Sequence, residues 1–460
     1  MAKEPDKLRT GRVRRTAAVG AAVGSAGFKG ARGQHQEAAE RMVRTLGQLK
    51  GGAAKIAQLA SFIDTDFIPD EYRGVYQAEL GKLRADAPSM PWNDVKSVVE
   101  EEWDEPVEEL FEDFEHEATA AASIGQVHRA VLPDGRKVAV KIQYPGMAKA
   151  LAADMSNAKL ILRLAKALAP GLDAKSVAEE LKERVLEELD YEIESANQRS
   201  FARAYRGHPF IVVPDVITRL STERVLVSEW IDGRGFDEVK QLPQAEKDRF
   251  GEIVFRFCFG SVYHLQHFNA DSHPGNYLLM DDGKVGFLDF GMTKRLEVEQ
   301  ISLEIAAIQA AIENDPEAVR SALADIGYIK KPERVDAEKL MRHVKAVGGW
   351  YLEDLDVTIN AHTVMTAMEA MTDPRSEFYD LVRQQSLPAD ELMGQRMQTG
   401  VLAVLGQLNA TRNWMRIGQE WWLAAEPATE LGEAEWAYFE AKGERRVRKF
   451  RLRGADAGAG

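Results

Sequence analysis

Asn269-Ala270-Asp271-Ser272-His273-Pro274-Gly275-Asn276, followed by Phe287-Leu288-Asp289-Phe290-Gly291, is the stretch on which the fold turns. The first run is a polar loop. The second ends a short apolar strand, and residues 277–280 and 284–288 read as two strands joined at Asp281-Asp282-Gly283. Asn276 follows Asp271 by five positions and Asp289 lies thirteen beyond Asn276. Asn276 and Asp289 therefore offer hard oxygen ligands at adjacent strand ends, which suits Mg²⁺ held between protein and phosphate oxygens. Asp271 is placed to accept the proton of an attacking hydroxyl or to orient a water. Catalytic work is thus expected of Asp271, Asn276 and Asp289, together with Lys141 upstream, and Asn276 and Asp289 are expected as the metal ligands.

Upstream, 126–132 and 137–143 read as strands closed by the turn Pro133-Asp134-Gly135. Just before them, Ala120-x-Ala122-x-x-Gly125-x-Val127 stands where protein kinases carry a glycine-rich phosphate loop. With alanine at two of the glycine positions, the loop is expected to be stiffer than a flexible lid. Ala120, Ala121, Ala122, Ser123, Ile124, Gly125 and Val127 are expected to bind nucleotide. The strand Val138-Ala139-Val140-Lys141 adds Ala139 and an ammonium for the α/β-phosphates. Glu229 and Ile231, where the run 224–230 passes into a Gly-bearing connector, complete that set. The acidic run 187–194 reads as one helix with Glu187, Asp190 and Glu194 on a face and Glu188 beside it; one of these should pair with Lys141.

The 460 residues, 45% of them hydrophobic, are enough for a large core and for two or three lobes. A formal net charge of −14 argues against broad nucleic-acid binding. The one cysteine, Cys258, sits in an apolar run and reads as an inert core thiol, so an intracellular, reducing setting is the simpler expectation. Residues 16–28 are too short and too weakly apolar to span a bilayer. The expected fold is α+β and protein-kinase-like, with two lobes. A basic N-terminus (1–35) precedes a helical extension (36–109), a smaller lobe containing the sheet (110–232), a mainly helical lobe (233–440) and a basic tail (441–460). Strands are expected at 211–218 and 224–230 in the smaller lobe. The tail could meet an anionic membrane surface or remain solvated. Trp414, Trp421, Trp422 and Trp436 are read as core rather than as a membrane belt.

Taken together, these motifs resemble the AarF/UbiB family of atypical kinase-like proteins, over about 45–295. The resemblance implies that ATP or ADP binds with Mg²⁺. It also implies ATPase or unorthodox kinase activity with frequent links to isoprenoid-quinone or lipid metabolism at membranes, without fixing the substrate. A small-molecule or lipid/quinone-like acceptor and a cytoplasmic location with membrane contact are the expectations here. It further implies that Lys55-Ile56-Ala57-Gln58 matches the family's Lys-x-Gly-Gln lid, with Lys55 and Gln58 closing the nucleotide cleft and Ala in place of Gly. Glu188-Leu189-Asp190 matches its Glu-x-Asp motif, and Glu194 is implied as the partner of Lys141. Ser272 stands where that family's loop has proline, and a change in local stiffness is expected from it. Only a few residues separate Gly291 from the helical pattern 297–314, so a peptide-docking activation segment is disfavoured. Aminoglycoside- and choline-type kinases share the loop interval but not the alanine-rich loop. A nucleotide-gated lipid-binding or scaffold protein is the competing class.

Overall fold

The computed structural model describes residues 90–122, 124–146, 187, 189–373, 375–382, 384, 385 and 391–443. The lid residues Lys55 and Gln58, with Ser123 and Glu188, lie outside them. The chain divides into two compact units, the first holding the described residues up to 192 with 217–230 and the second 193–216 with 231–443.

Helices α1 (Trp92–Trp103) and α2 (Val107–Leu110) open the first unit, followed by β1 (Asp113–Phe114), β2 (Ala120–Ala121), β3 (Gly125–Val131) and β4 (Lys137–Gln143). Helix α3 (Tyr191–Tyr205) carries the chain into the second unit, which also holds β5 (Ile211–Val212), and β6 (Val225–Glu229) returns to the first. The sheet runs β1-β3-β4-β6, with β2 also on β3, and every pairing is antiparallel. The turn expected at Pro133-Asp134-Gly135 is present. Gly135 takes φ +83°, where a side chain is disfavoured, and Asp134 accepts from the Arg136 amide at 3.1 Å. Helix α1 presents Val95, Val98 and Val99, at i, i+3 and i+4, to Val138, Val140 and Ile142 of β4 and Val225 and Val227 of β6. One face of the sheet is thereby core. Strand alternation sends the intervening side chains to the other face.

The second unit is mainly helical. After α4 (Phe236–Val239), helix α5 (Gln244–Leu265) is buried without a break from Phe250 to Tyr263 and forms the centre of this unit. Cys258 lies there as expected, fully buried, with burial pushing its thiol up to about 12. Gln266, at φ 48°, ends α5 and starts β7 (His267–Asn269). The hairpin of β8 (Tyr277–Leu279) and β9 (Val285–Phe287) follows, then β10 (Thr293–Arg295), which pairs with β7. Helices α6 (Val298–Ile312), α7 (Pro316–Ile326) and α8 (Ala337–Gly348) come next. They are followed by β11 (Val357–Thr358), α9 (Ala361–Thr372), α10 (Tyr379–Val382) and α11 (Leu392–Leu408). Strand β12 (Thr411–Arg412), α12 (Trp414–Trp422) and α13 (Glu430–Ala441) complete the unit. Trp414, Trp421 and Trp422 are core, as read from the sequence, while Trp436 is half-buried.

Two expectations need correction. The strand read over 211–218 shrinks to β5, which pairs in parallel with β9 of the second unit rather than with the first sheet. Pro214, lacking an amide hydrogen, cannot extend a ladder there. The acidic run 187–194 is not one helix either. Leu189 and Asp190 lie outside helical structure, and Asp190 accepts from the Glu192 amide at 2.8 Å at the start of α3. A short carboxylate competes well for such orphan amides at a helix N-terminus, so the helical phase restarts at Tyr191.

Candidate active site

In the first unit, the register aligns Ala120 with Val127, Val127 with Lys141, and Lys141 with Leu226. Directly opposed residues share a face, so Ala120, Val127, Ala139 and Lys141 lie together on the face turned away from α1. The Lys141 ammonium sits 5.0 Å from the centroid of the buried Tyr191 ring, a cation–π distance. Glu229 is paired with Val138 and so falls on the opposite face.

The alanine-rich segment is a tight hairpin, not a helix. Ala122 donates to the Gly125 carbonyl at 2.8 Å and Thr119 to that of Val127 at 2.8 Å. Ile124 is buried. Beneath the hairpin, Gln126 accepts from the Met90 amide at 2.6 Å and lies 2.8 Å from Nε2 of His128, whose Nδ1 is 2.8 Å from the Glu115 carbonyl. A neutral His128 with its proton on Nδ1 satisfies the chain of bonds, and burial holds its pKa down.

In the second unit, β7 and the β8–β9 hairpin bring Asp271, Asn276 and Asp289 into one hydrogen-bonded group. Asn276 Nδ2 donates to Asp271 Oδ2 at 2.8 Å, which leaves the Asn276 amide oxygen as the end offered to a cation. Asn269 Nδ2 donates to the Asp289 carbonyl at 2.6 Å, and its Oδ1 accepts from the Asp271 amide at 2.9 Å, so this one side chain ties both loops together. Asp289 Oδ1 accepts from the Gly291 amide at 3.0 Å. A Cβ at 291 would lie 3.3 Å from an Asp289 carboxylate oxygen and 3.6 Å from one of Glu194. Glycine therefore leaves room beside this backbone for both carboxylates. Ile231 packs within 3.3 Å of where a Gly286 side chain would stand, behind the strand that delivers Asp289.

Among the described residues, no group of three or more His, Cys, Asp or Glu side chains gathers in a metal-holding arrangement. The donor set nevertheless fits Mg²⁺, which takes one or two protein oxygens and completes its shell with phosphates and water. Asn276 and Asp289 are the side chains that would supply those oxygens.

His273 braces the loop: its Nδ1 accepts from the Gly275 amide at 3.1 Å. Ser272 is buried and donates to the Met397 carbonyl of α11 at 3.2 Å. Sequence reasoning missed Arg396, which donates to Asp271 Oδ1 at 3.1 Å and to the Ala270 carbonyl at 3.0 Å. It is 125 residues from Asp271, in a helix whose pattern carries no sign of a site.

Comparison with known proteins identifies the family. The ABC1 atypical kinase-like domain matches residues 82–323. An "Atypical kinase COQ8B, mitochondrial" of Danio rerio is 31% identical over 310 residues, 67% of this chain and 49% of that protein. The Rattus norvegicus protein of the same name is 32% identical over 292 residues, 63% of this chain and 54% of that one. The chain thus spans about half the length of these curated relatives. A solved structure, the complex of Rv3197 with erythromycin from Mycobacterium tuberculosis, is 31% identical with a TM-score of 0.61, covering 85% of this chain and 97% of that one. The resemblance to AarF/UbiB proteins and the kinase-like fold are both met, and the chain belongs to the ABC1 atypical kinase-like family.

Proposed function

We propose that this protein is an Mg²⁺-dependent ATP-using enzyme, an ATPase or a phosphotransferase acting on a small-molecule or lipid-like acceptor of the quinone type. The observation that carries the reading is the Asn276–Asp271 hydrogen bond together with the Asn269 bridge to Asp289. It holds Asp271, Asn276 and the backbone of Asp289 together, which supports a reading of these side chains as base and metal ligands in phosphoryl transfer. Lys141, Ala120, Val127 and Ala139 would serve a nucleotide from their sheet face, whereas Glu229, on the opposite face, would stand apart from them, and Ile231 would meet the base. Lys55 and Gln58 would form the nucleotide's lid. Bound Mg²⁺ would neutralise charge on the phosphate oxygens. Asp271 takes the proton of the acceptor hydroxyl, or of water, as its oxygen bonds to the γ-phosphorus, and the bond from phosphorus to the β–γ bridging oxygen breaks to release ADP.

We place this work in the cytoplasm, at or near a membrane surface. No described helix is long and apolar enough to cross one. The basic run at 445–453, outside the described residues, is the proposed point of peripheral contact.

Nucleotide binding tests the reading. ATP affinity of the full chain should depend on Mg²⁺, and Asp289→Asn should remove that dependence. Equal affinity with and without Mg²⁺ in the wild type would remove the metal assignment.

A further inference from the structure

We infer that Arg396 is a positioning residue for Asp271, and that helix α11, which lies beyond the stretch matched by the family domain, holds the catalytic loop in register. The inference rests on the nucleotide-using reading above. Three successive loop residues meet one side of α11. Ala270 and Asp271 accept from Arg396 at 3.0 and 3.1 Å, and Ser272 donates to the Met397 carbonyl at 3.2 Å. One turn on from Arg396, Gly400 lies so close that an added Cβ would stand 2.7 Å from Cβ of Ser272. Positions i and i+4 share a helix face, so arginine and glycine form a single seat for the loop.

The chemistry of the seat suits positioning. Arg396 and Asp271 are mostly buried, with side chains 17% and 19% exposed. A guanidinium offers donors fixed in one plane, so grasping the carboxylate and the preceding carbonyl together fixes the direction of the side chain relative to its backbone. Asp271 Oδ1 then faces Arg396 and Oδ2 faces Asn276. Each carboxylate oxygen has about two acceptor sites, so one remains on each oxygen for the attacking group. Without Arg396 the carboxylate keeps only its Asn276 bond and can turn away from the acceptor. No part of this arrangement involves the sheet face that carries Lys141. Loss of Arg396 should therefore slow the chemical step without weakening nucleotide binding.

The test uses the full chain and three readouts: Mg-ATP affinity by calorimetry, steady-state phosphate release, and the thermal midpoint. Wild type comes first, since absence of nucleotide binding or turnover there defeats the proposed function itself, before any variant is made. Given wild-type turnover, Arg396→Gln should lower kcat on the order of 100-fold, the effect of misplacing a reacting group, with Kd and KM for ATP within about 2-fold of wild type. Arg396→Lys should recover only a small part of kcat, because one ammonium cannot reproduce the planar two-point grip. Gly400→Ala displaces the loop without touching Arg396 and decides the matter should Arg396→Gln not fold. It too should lower kcat at unchanged Kd. Wild-type kcat in Arg396→Gln, or in Gly400→Ala, would overturn the inference. So would a fall in kcat matched by equal losses of affinity and thermal midpoint, which would mark Arg396 as a brace for the fold alone.

Discussion

A Cβ on Gly125 would lie 2.0 Å from the carbonyl oxygen of Ile142 on the neighbouring strand. The one glycine kept in the alanine-rich loop is thus required by the approach of β3 to β4. Its φ is not positive, so conformational freedom is not the reason. Gly125→Ala must push the strands apart where Ala122 and Tyr144 make their backbone bonds, to the Gly125 and Ile124 carbonyls. We expect a loss of about 1–3 kcal/mol, as for overpacking elsewhere, read from urea unfolding. An unchanged unfolding midpoint would contradict this.

Lys141 stands on the sheet face turned away from the valine core, so its removal should spare the fold while weakening nucleotide binding. A lost charge-assisted contact of about 1.5–3 kcal/mol corresponds to a roughly 10- to 100-fold rise in Kd for Mg-ATP in Lys141→Ala. Calorimetry beside a thermal melt separates the two effects. A falling melting temperature with unaltered Kd would reverse the assignment.

Arg256, fully buried in α5, grips Glu252, Glu420 and Glu435, each at 2.9 Å, and so ties α12 and α13 to the central helix. Burial by itself would lower the arginine's pKa, but Glu435, Glu420 and Glu252 outweigh it and raise the value. Arg256→Met would take the shared cation from three buried carboxylates, of which Glu252 keeps Arg412 at 2.7 Å. Removing one partner from a buried ion network costs about 3–5 kcal/mol, so chemical denaturation should show a loss of that size or outright failure to fold. A near-neutral result would mean that these carboxylates find protons or water at little cost.

The grouping of Asp271, Asn276 and Asp289 was readable because the three stand at short intervals along the chain. Asp271 and Asn276 precede one hairpin and Asp289 follows it, and Lys141 lies within a strand whose alternation is visible in Val138, Val140 and Ile142. Arg396 was not readable, since nothing local marks a helix arginine that reaches a loop 125 residues away. The break at Asp190 was hidden because a carboxylate can either lie along a helix or cap its start, and only the Glu192 amide distinguishes the two. β5 was misplaced because strand propensity says nothing about which sheet a two-residue strand will join.

Acid should destabilise the protein from near neutrality. Burial depresses His208 to about 2, His267 to about 3 and His343 to about 4. Below the ordinary value of 6.5, the unfolded chain takes up protons that the folded chain refuses. Stability therefore falls as pH drops from 6.5 towards each folded value, by up to about 1.4 kcal/mol per pH unit for each histidine. His343 packs beside Phe378 with Nδ1 unpartnered, so His343→Leu should make the decline between pH 6.5 and 4 shallower by about that amount. Unfolding midpoints across this range test it, and parallel curves for the two proteins would contradict it.

Phosphate release from Mg-ATP by wild type and Asp271→Asn, with and without anionic liposomes containing a quinone-like phenol, tests the central claim most directly. The account predicts Mg²⁺-dependent turnover in the wild type, its loss in the variant at nearly unchanged nucleotide affinity, and stimulation by the liposomes. Equal rates for the two proteins would contradict Asp271 as the base. Tight nucleotide binding without wild-type turnover would replace the enzyme by a nucleotide-gated binding protein.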